Sequence, residues 1–505
     1  MTMISRVLGL VRDMVFAPLL GAGGSADAFF VAFKIPNFFR RLFAEGAFAQ
    51  SFVPVLSEYR ANGSVAAVRH FIDRVAGCLG MSLVVLTAFV VLASPVVTTI
   101  FGAGFLLKHP EQFDLTSQLL RLTFPYLLLV SLTGFAGAIL NSYDRFAVPA
   151  ITPALLNIVL IIAAVVVAPM FQEPVFALAW GVLVAGCVQL VFQLPFLARL
   201  NLLPRPIVDW KDESVRKVLR LMAPAMFGVS VSQINLLLDT VLATFLPSGS
   251  ISWLYFSDRL MELPLGVFGV GIATVILPNL SRLHAKGTEQ FSETLDWAFR
   301  MVLLIALPAA FSLIILAKPL IFTLFQYGKY RPEDVVMASY SLCAYALGLC
   351  AFMLIKVLVS GFFSRKDMKT PVRIGIIAMI SNMGLNFLFV VPLHFYWQVG
   401  HVGLALATAA SAFVNAALLY RSLRHERVYT PSKAWKDFWM RAILANAALV
   451  SVLLLLSITL PGFEVLAWWQ RSMYLAIFVC SGLIAYLATL WIAGLRPHHL
   501  KLHVE

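Results

Sequence analysis

Charge is scarce in this chain. Of its 505 residues only 12% are Asp, Glu, Lys or Arg, 60% are hydrophobic, and mean hydropathy is +0.88. Soluble domains carry about 25% charged residues, so a surface that faces water on every side is excluded. Cysteine is scarce too. Cys78, Cys187, Cys343, Cys350 and Cys480 all lie in apolar runs, with no metal-ligand or redox spacing among them. That pattern excludes a zinc or dithiol centre and marks all five as small buried residues. Also missing are a Gly-rich phosphate loop ending in Lys-Ser/Thr, a His-Glu-x-x-His helix and a nucleophile elbow. The chain is therefore not read as an enzyme and calls for no cofactor. The opening "MTMISRVLGLVRD" lacks an apolar core followed by a small-residue cleavage site, so no cleavable signal peptide is expected.

What the sequence has is apolar length. Runs such as 81–97, 151–167, 301–317 and 442–460 approach the ~20 residues that cross a bilayer core. With Pro, Gly and charge clusters as punctuation, about fourteen segments follow, some long enough to tilt. They span 1–20, 27–57, 71–101, 115–141, 147–168, 175–198, 217–246, 250–280, 293–325, 334–363, 371–392, 400–421, 437–460 and 467–494. The fold class is an all-α polytopic membrane protein. Lys and Arg pile up in every second connection, from Arg60, Arg69 and Arg74 to Arg421, Arg424, Arg427, Lys433 and Lys436. The alternate connections hold only Lys108, Lys329, Arg331 and Arg471. The positive-inside rule then puts both termini in the cytoplasm. Topology accounts for most of the +13 net charge, which argues against a nucleic-acid partner.

An internal repeat emerges when the halves are compared. "FVPVLSEYRA" at 52–61 parallels "ILPNLSRLHA" at 276–285, a shift of 224, and "NSYDRFAVP" at 141–149 parallels "FSRKDMKTP" at 363–371, a shift of 222. The shift spans an even number of segments, so both copies run the same way through the membrane. This predicts two six-helix lobes related by a pseudo-two-fold axis along the membrane normal, with a substrate site between them. The expected division is an N-terminal lobe at 1–200, a C-terminal lobe at 201–430, and two extra helices within 431–505.

Some charges stand where a membrane segment should have none. In "DAFFVAFKIPNFFRRLFAEGAF" (27–48), Asp27, Lys34, Arg41 and Glu45 fall on one face at ~100° per residue. Arg40 points elsewhere unless Pro36 kinks the helix. Segment 1 adds Ser5, Arg6, Arg12 and Asp13, and segment 8 adds Asp258, Arg259 and Glu262. Under the 224-residue shift Lys34 lands on Asp258 and Phe38 on Glu262, so the clusters occupy equivalent places in the two halves. One reading pairs them internally, Arg41 with Glu45 and Arg259 with Glu262, as helix-locking contacts. Desolvation makes such pairs costly for the hold they give. The favoured reading is a hydrated cavity whose arginines bind an anionic headgroup, because a planar guanidinium forks onto phosphate and stays charged. Asp239, Asn382, Asn386 and Thr408 form a candidate coupling-ion site for sodium or a proton, against the ordinary reading of interhelical hydrogen bonds. Lys356 is expected to face the cavity. The Gly-rich "GAGGSADA" at 21–28 is read as a flexible turn.

The stretches "SRVLGLVRD" (5–13), "DAFFVAFKIPNFFRRLFAEGAFAQSFVPV" (27–55), "LTFPYLLLVSLTGFAGAILNSYDRFAVPAITP" (122–153), "SDRLMELPLGVFGVGIATVILPNLS" (257–281) and "FQYGKY" (325–330) resemble the MurJ/MviN-type lipid II flippases. That family lies within the multidrug/oligosaccharidyl-lipid/polysaccharide exporter superfamily, and the resemblance covers essentially the whole chain. It implies fourteen helices, a V-shaped cavity, and a groove for a lipid tail on segments 13 and 14. It also implies transport of lipid II, the undecaprenyl-pyrophosphate-linked peptidoglycan precursor, to the outer leaflet of the bacterial cytoplasmic membrane. By motif the family's functional cations fall on Arg6, Arg12, Arg40 and Arg259, with Asp27, Lys34 and Glu262 as polar partners. Family members extend further ahead of "SRVLG" than the four residues here, so segment 1 is expected to be short, with Arg6 near its cytoplasmic end. The mechanism expected is alternating access, the headgroup held mainly by Arg12, Arg40 and Arg259. Pro36, Pro54, Pro264 and Pro278 are the expected bending points. Expected partners are lipid II, membrane lipids, and sodium or a proton, with the chain acting as a monomer. The alternatives are a flippase for another polyprenyl-linked oligosaccharide, a cation-coupled drug exporter of the same superfamily, and a membrane scaffold.

Overall fold

A computed structural model describes residues 2–42, 48–283 and 288–496. These residues are helical, with no strand among them. A chain that must satisfy every backbone polar group internally in lipid has few other choices. In order the helices are α1 (Thr2–Leu20), α2 (Gly24–Phe39), α3 (Phe48–Asn62), α4 (Val65–Leu92), α5 (Ser94–Phe101), α6 (Ala103–Lys108), α7 (Pro110–Thr123), α8 (Tyr126–Ser142), α9 (Ala147–Ile162) and α10 (Pro174–Arg199). They continue as α11 (Glu213–Ala243), α12 (Ser250–Pro264), α13 (Val270–Leu283), α14 (Thr288–Ile315), α15 (Ala317–Leu324), α16 (Pro332–Phe363), α17 (Lys369–Trp397), α18 (Gly400–His425), α19 (Trp435–Thr459) and α20 (Trp468–Ile492).

Local chemistry sets the boundaries. Ser64 caps α4 by accepting from the Ala67 amide at 3.2 Å, and Asp212 caps α11 by accepting from Ser214 and Val215. Pro opens α7, α10 and α16, where its missing N–H is not needed. Eleven helical stretches among the described residues are long and apolar enough to cross a membrane. The expected segments outside that set are 1–20, 27–57 and 217–246, which hold α1, α2 with α3, and α11. Proline and π-type turns break the spans internally. Pro264 is followed by a π turn at Leu265–Gly269, and a second π turn at 40–42 follows Pro36 by one helical turn. Glu45 lies outside the described residues.

The repeat is visible element by element. Helices α4 and α14 both have 28 residues and start at 65 and 288, a shift of 223. Helices α5 and α15 both have 8 residues and start at 94 and 317. Helices α10 and α18 both have 26 residues and start at 174 and 400. Helices α19 and α20 have no counterpart in the first half. The chain divides into two compact units, Met1–Ser252 and Trp253–Glu505.

Two expectations are corrected. Cys187 and Cys480 are exposed, where apolar neighbours such as Val184, Val191 and Ile484 are also exposed, so they belong to the lipid-facing surface rather than a core. The Gly-rich stretch is a turn only at 21–23, with Gly21 at φ 68°, because α2 already starts at Gly24.

Candidate functional site

In the first unit, α1 carries Arg12 into a buried setting, only 6% exposed. Its Nε and Nη2 donate to Asp13 Oδ1 at 3.0 and 2.8 Å, and Nη1 donates to Asn157 Oδ1 on α9 at 3.1 Å. The guanidinium lies 5.5 Å from the Phe16 ring centroid. Asn157 is held in turn, since its Nδ2 donates to Ser5 O at 3.0 Å. Arg6, one and a half turns earlier, is half-buried and has no hydrogen-bond or ion-pair partner among the described residues.

On α2, Asp27 is 1% exposed. It accepts from the Gly249 amide at 2.6 Å, the Ser252 amide at 2.8 Å and Ser252 Oγ at 2.6 Å, so it caps the first turn of α12 from another helix. Two turns on, Lys34 Nζ donates to Thr240 Oγ1 of α11 at 3.2 Å. Arg40 Nε donates to Asn37 Oδ1 at 3.1 Å, and Arg41 is exposed. Asp239 is half-buried on α11 beside Thr240.

The second unit holds Arg259 and Glu262 on α12, one turn apart and ion-paired at 2.9 Å. Both remain about a third exposed, at 33% and 40%, and the Arg259 guanidinium stands 4.9 Å over the Tyr255 ring. Of the internal pairs named as the ordinary reading, Arg259 with Glu262 is therefore present, while Arg41 with Glu45 involves a residue outside the described ones. The opposite face of α12 is fixed. Trp253 Nε1 donates to Asp334 Oδ1 at 2.9 Å, Ser257 Oγ lies 2.7 Å from Ala338 O, and the Trp253 ring packs 4.8 Å from His401. Asn382 and Asn386 are buried one turn apart on α17, and Thr408 on α18 donates to Leu404 O at 2.9 Å.

Each unit also has an aspartate that clasps a connector, and neither drew notice in the sequence. On α4, Asp73 Oδ1 accepts from the Arg205 amide at 2.6 Å, and Asp73 O from the Ile207 amide at 3.0 Å. Beside it Arg74 pairs with Asp209 and Asp212. On α14, Asp296 accepts from Tyr429 Oη at 2.7 Å, Ser432 Oγ at 2.7 Å and Trp435 Nε1 at 2.6 Å, and pairs with Arg300 at 3.1 Å. Positions 73 and 296 stand 223 apart, and 205 and 429 stand 224 apart, so the clasps are a product of the repeat. The signal in the sequence was an Asp placed just inside the start of an apolar segment in both halves.

The arrangement is that of a polytopic transporter with cations and acids set into its membrane helices. A multidrug resistance MATE family transporter of the MOP superfamily, in an inward-facing conformation, shares the fold with a TM-score of 0.71 at 15% identity, covering 84% of this chain and 95% of that one. The family model for "Lipid II flippase MurJ" matches residues 16–474. A protein of Vibrio cholerae serotype O1 named "Probable lipid II flippase MurJ" is 50% identical over 100% of this chain and 96% of its own length. A solved structure of the lipid II flippase MurJ in an inward closed conformation superposes with a TM-score of 0.81 at 27% identity, covering 97% of both chains. The chain is an integral membrane protein, and it belongs to the lipid II flippase MurJ family.

Proposed function

We propose that this chain moves lipid II from the inner to the outer leaflet of the bacterial inner membrane. The observation that carries the reading is the family match along residues 16–474. Charge on α1, α2 and α12 costs several kcal/mol per group in a membrane unless the group meets protein, water or ligand. In this reading Arg6, Arg12, Lys34, Arg40, Arg41 and Arg259 supply the positive field for a pyrophosphate headgroup, with Glu262 orienting Arg259 and Asp27 fixing the start of α12. Arg41, which is exposed, and Arg259, a third exposed, are the cations assigned to reach the headgroup, while Arg12 acts from its buried place on α1. Residues 1–200 and 201–430 serve as two six-helix lobes and 431–505 as the tail-binding pair, fourteen spans in all with both termini cytoplasmic. Lobes rocking about a shared axis expose the headgroup to each side in turn. A membrane potential supplies ~2.3 kcal/mol per charge per 100 mV, and Asp239, Asn382, Asn386 and Thr408 are the groups assigned to bind the sodium or proton that carries it. The chain works as a monomer.

The test is rescue of a bacterium depleted of its own flippase, scored by growth and by lipid II in the outer leaflet. The native chain restores both, and Arg259→Ala restores neither at equal membrane levels. A native chain that inserts while lipid II stays inside overturns the reading.

A further inference from the structure

The hairpin of α19 and α20 is fastened to the second unit at both of its ends. Near the start of α19, Trp435 donates to Asp296, while Phe438 and Ala442 pack with Leu303, Leu304 and Leu354. On α20, Tyr486 Oη donates to Leu304 O at 2.7 Å. Arg471 lies fifteen residues before Tyr486, about 22 Å along the helix. It is 7% exposed, and its fastening is different in kind. Its Nη1 donates to Gln326 Oε1 at 2.7 Å and to the Phe322 and Gln326 carbonyls at 3.3 Å each. Its Nη2 donates to Glu464 O at 3.3 Å, and Nε is buried without a partner. No carboxylate pairs with this cation among the described residues. Instead it draws on carbonyls at the end of α15 and just beyond, where the helix dipole favours positive charge, and on the Phe322 and Tyr327 rings at 5.6 and 5.9 Å.

Gln326 is a firm anchor because its neighbours are. Phe325 and Tyr330 are fully buried, with ring centroids 5.0 and 5.4 Å from Phe256 of α12. The motif "FQYGKY" thus grips α12 with its aromatics and α20 with its glutamine. The helix it grips is the one that carries Arg259.

We infer that Arg471 is a positioning residue that fixes the turn end of the α19–α20 hairpin, and so its hold on the lipid tail, through Gln326. This rests on the proposed reading that the hairpin receives the tail. Removing Arg471 leaves the hairpin held at its other end by Trp435, Phe438 and Tyr486, free to pivot at its turn. No opposite charge is stranded by the change, which favours a folded variant.

The experiment uses the full chain in proteoliposomes with two lipid-pyrophosphate substrates sharing one headgroup, one with an undecaprenyl and one with a farnesyl tail. The native chain shows a lower KM for the undecaprenyl substrate. Arg471→Gln and Gln326→Ala each raise that KM about tenfold, equivalent to ~1.4 kcal/mol, while kcat and the farnesyl KM stay within about twofold. Arg471→Lys, which keeps the charge but not the fork, falls between. Equal losses on both tails, or no loss on either, overturn the role of Arg471. A native chain that does not distinguish the tails overturns the tail-groove reading instead, so the two failures are separable.

Discussion

Arg12 shows what one residue of this sequence discloses and what it hides. Its presence in an apolar segment is plain to read, but its partner Asn157 lies 145 positions away on another helix, and nothing local announces that pair. Lys34 with Thr240 and Asp27 with Gly249 and Ser252 are further cases. The polar stripe on α2 is legible from periodicity, whereas the choice of partner belongs to tertiary packing. Asp27 gives the sharpest prediction at this scale. Asp27→Ala strands two amides and a hydroxyl that are buried around it, and each unsatisfied group costs ~1–3 kcal/mol. Thermal unfolding of the detergent-solubilised variant, followed by tryptophan fluorescence, is expected to start several degrees lower than for the native chain. Asp27→Asn, which keeps one carbonyl acceptor, is expected to lie between the two. Equal midpoints for Ala and native chain would remove the cap from the account.

At the scale of elements, helix existence was readable nearly to the residue: the expected span 175–198 is Pro174–Arg199, and 334–363 is Pro332–Phe363. The breaks inside spans were not. A stop at Ala93 between α4 and α5, or the π turn after Pro264, costs no hydrophobicity and leaves the pattern intact. The connector 201–212 was equally opaque, because Asp73 holds it through backbone amides that any residue would offer. Its packing leaves no room: a Cβ on Gly77 would stand 2.3 Å from the Ile207 carbonyl. Gly77→Ala is therefore expected to lift the connector from α4 and to speed tryptic cleavage after Lys211 by about tenfold, given ~1.4 kcal/mol of opening (Arg205 is followed by Pro206 and resists trypsin); unchanged cleavage would contradict the close contact. Acid should do the same reversibly. Burial alone would raise the Asp212 carboxyl, but hydrogen bonds from Ser214, Arg74 and Val215 outweigh it and hold the pKa below the ordinary 3.8. The unclasped state then binds the proton more tightly, so the clasp is fully present above pH 3.8 and is lost as pH falls through the depressed value. Hydrogen exchange of the connector amides is expected to show protection that is flat from neutral pH down to that region and collapses below it. Protection that rose on acidification would reverse the sign and sink the argument.

The whole molecule is a duplicated unit with a pair added at its end. Two weak sequence matches announced that plan, and the equal lengths of α4 and α14, α5 and α15, and α10 and α18 bear it out. Duplication also explains why the Asp73 and Asp296 clasps recur at one offset although their ligands differ, amides in one case and side chains in the other. Orientation in the membrane is the property that joins the sequence argument to the function, since a headgroup must load where lipid II is made. The positive-inside count predicts that the connectors bearing Arg145 and Arg427 lie in the cytoplasm and those bearing Lys108 and Lys329 outside. In a chain with its own five cysteines replaced by alanine, single cysteines at these four exposed positions report the side directly. A membrane-impermeant maleimide applied to spheroplasts is expected to label Lys108→Cys and Lys329→Cys at once, and Arg145→Cys and Arg427→Cys only after lysis. Because 108 and 329 belong to different halves, labelling of both from outside also requires the two copies to cross the membrane in the same direction. Labelling of one from each side would make the repeat inverted rather than parallel, and a single axis along the membrane normal could no longer relate its two copies.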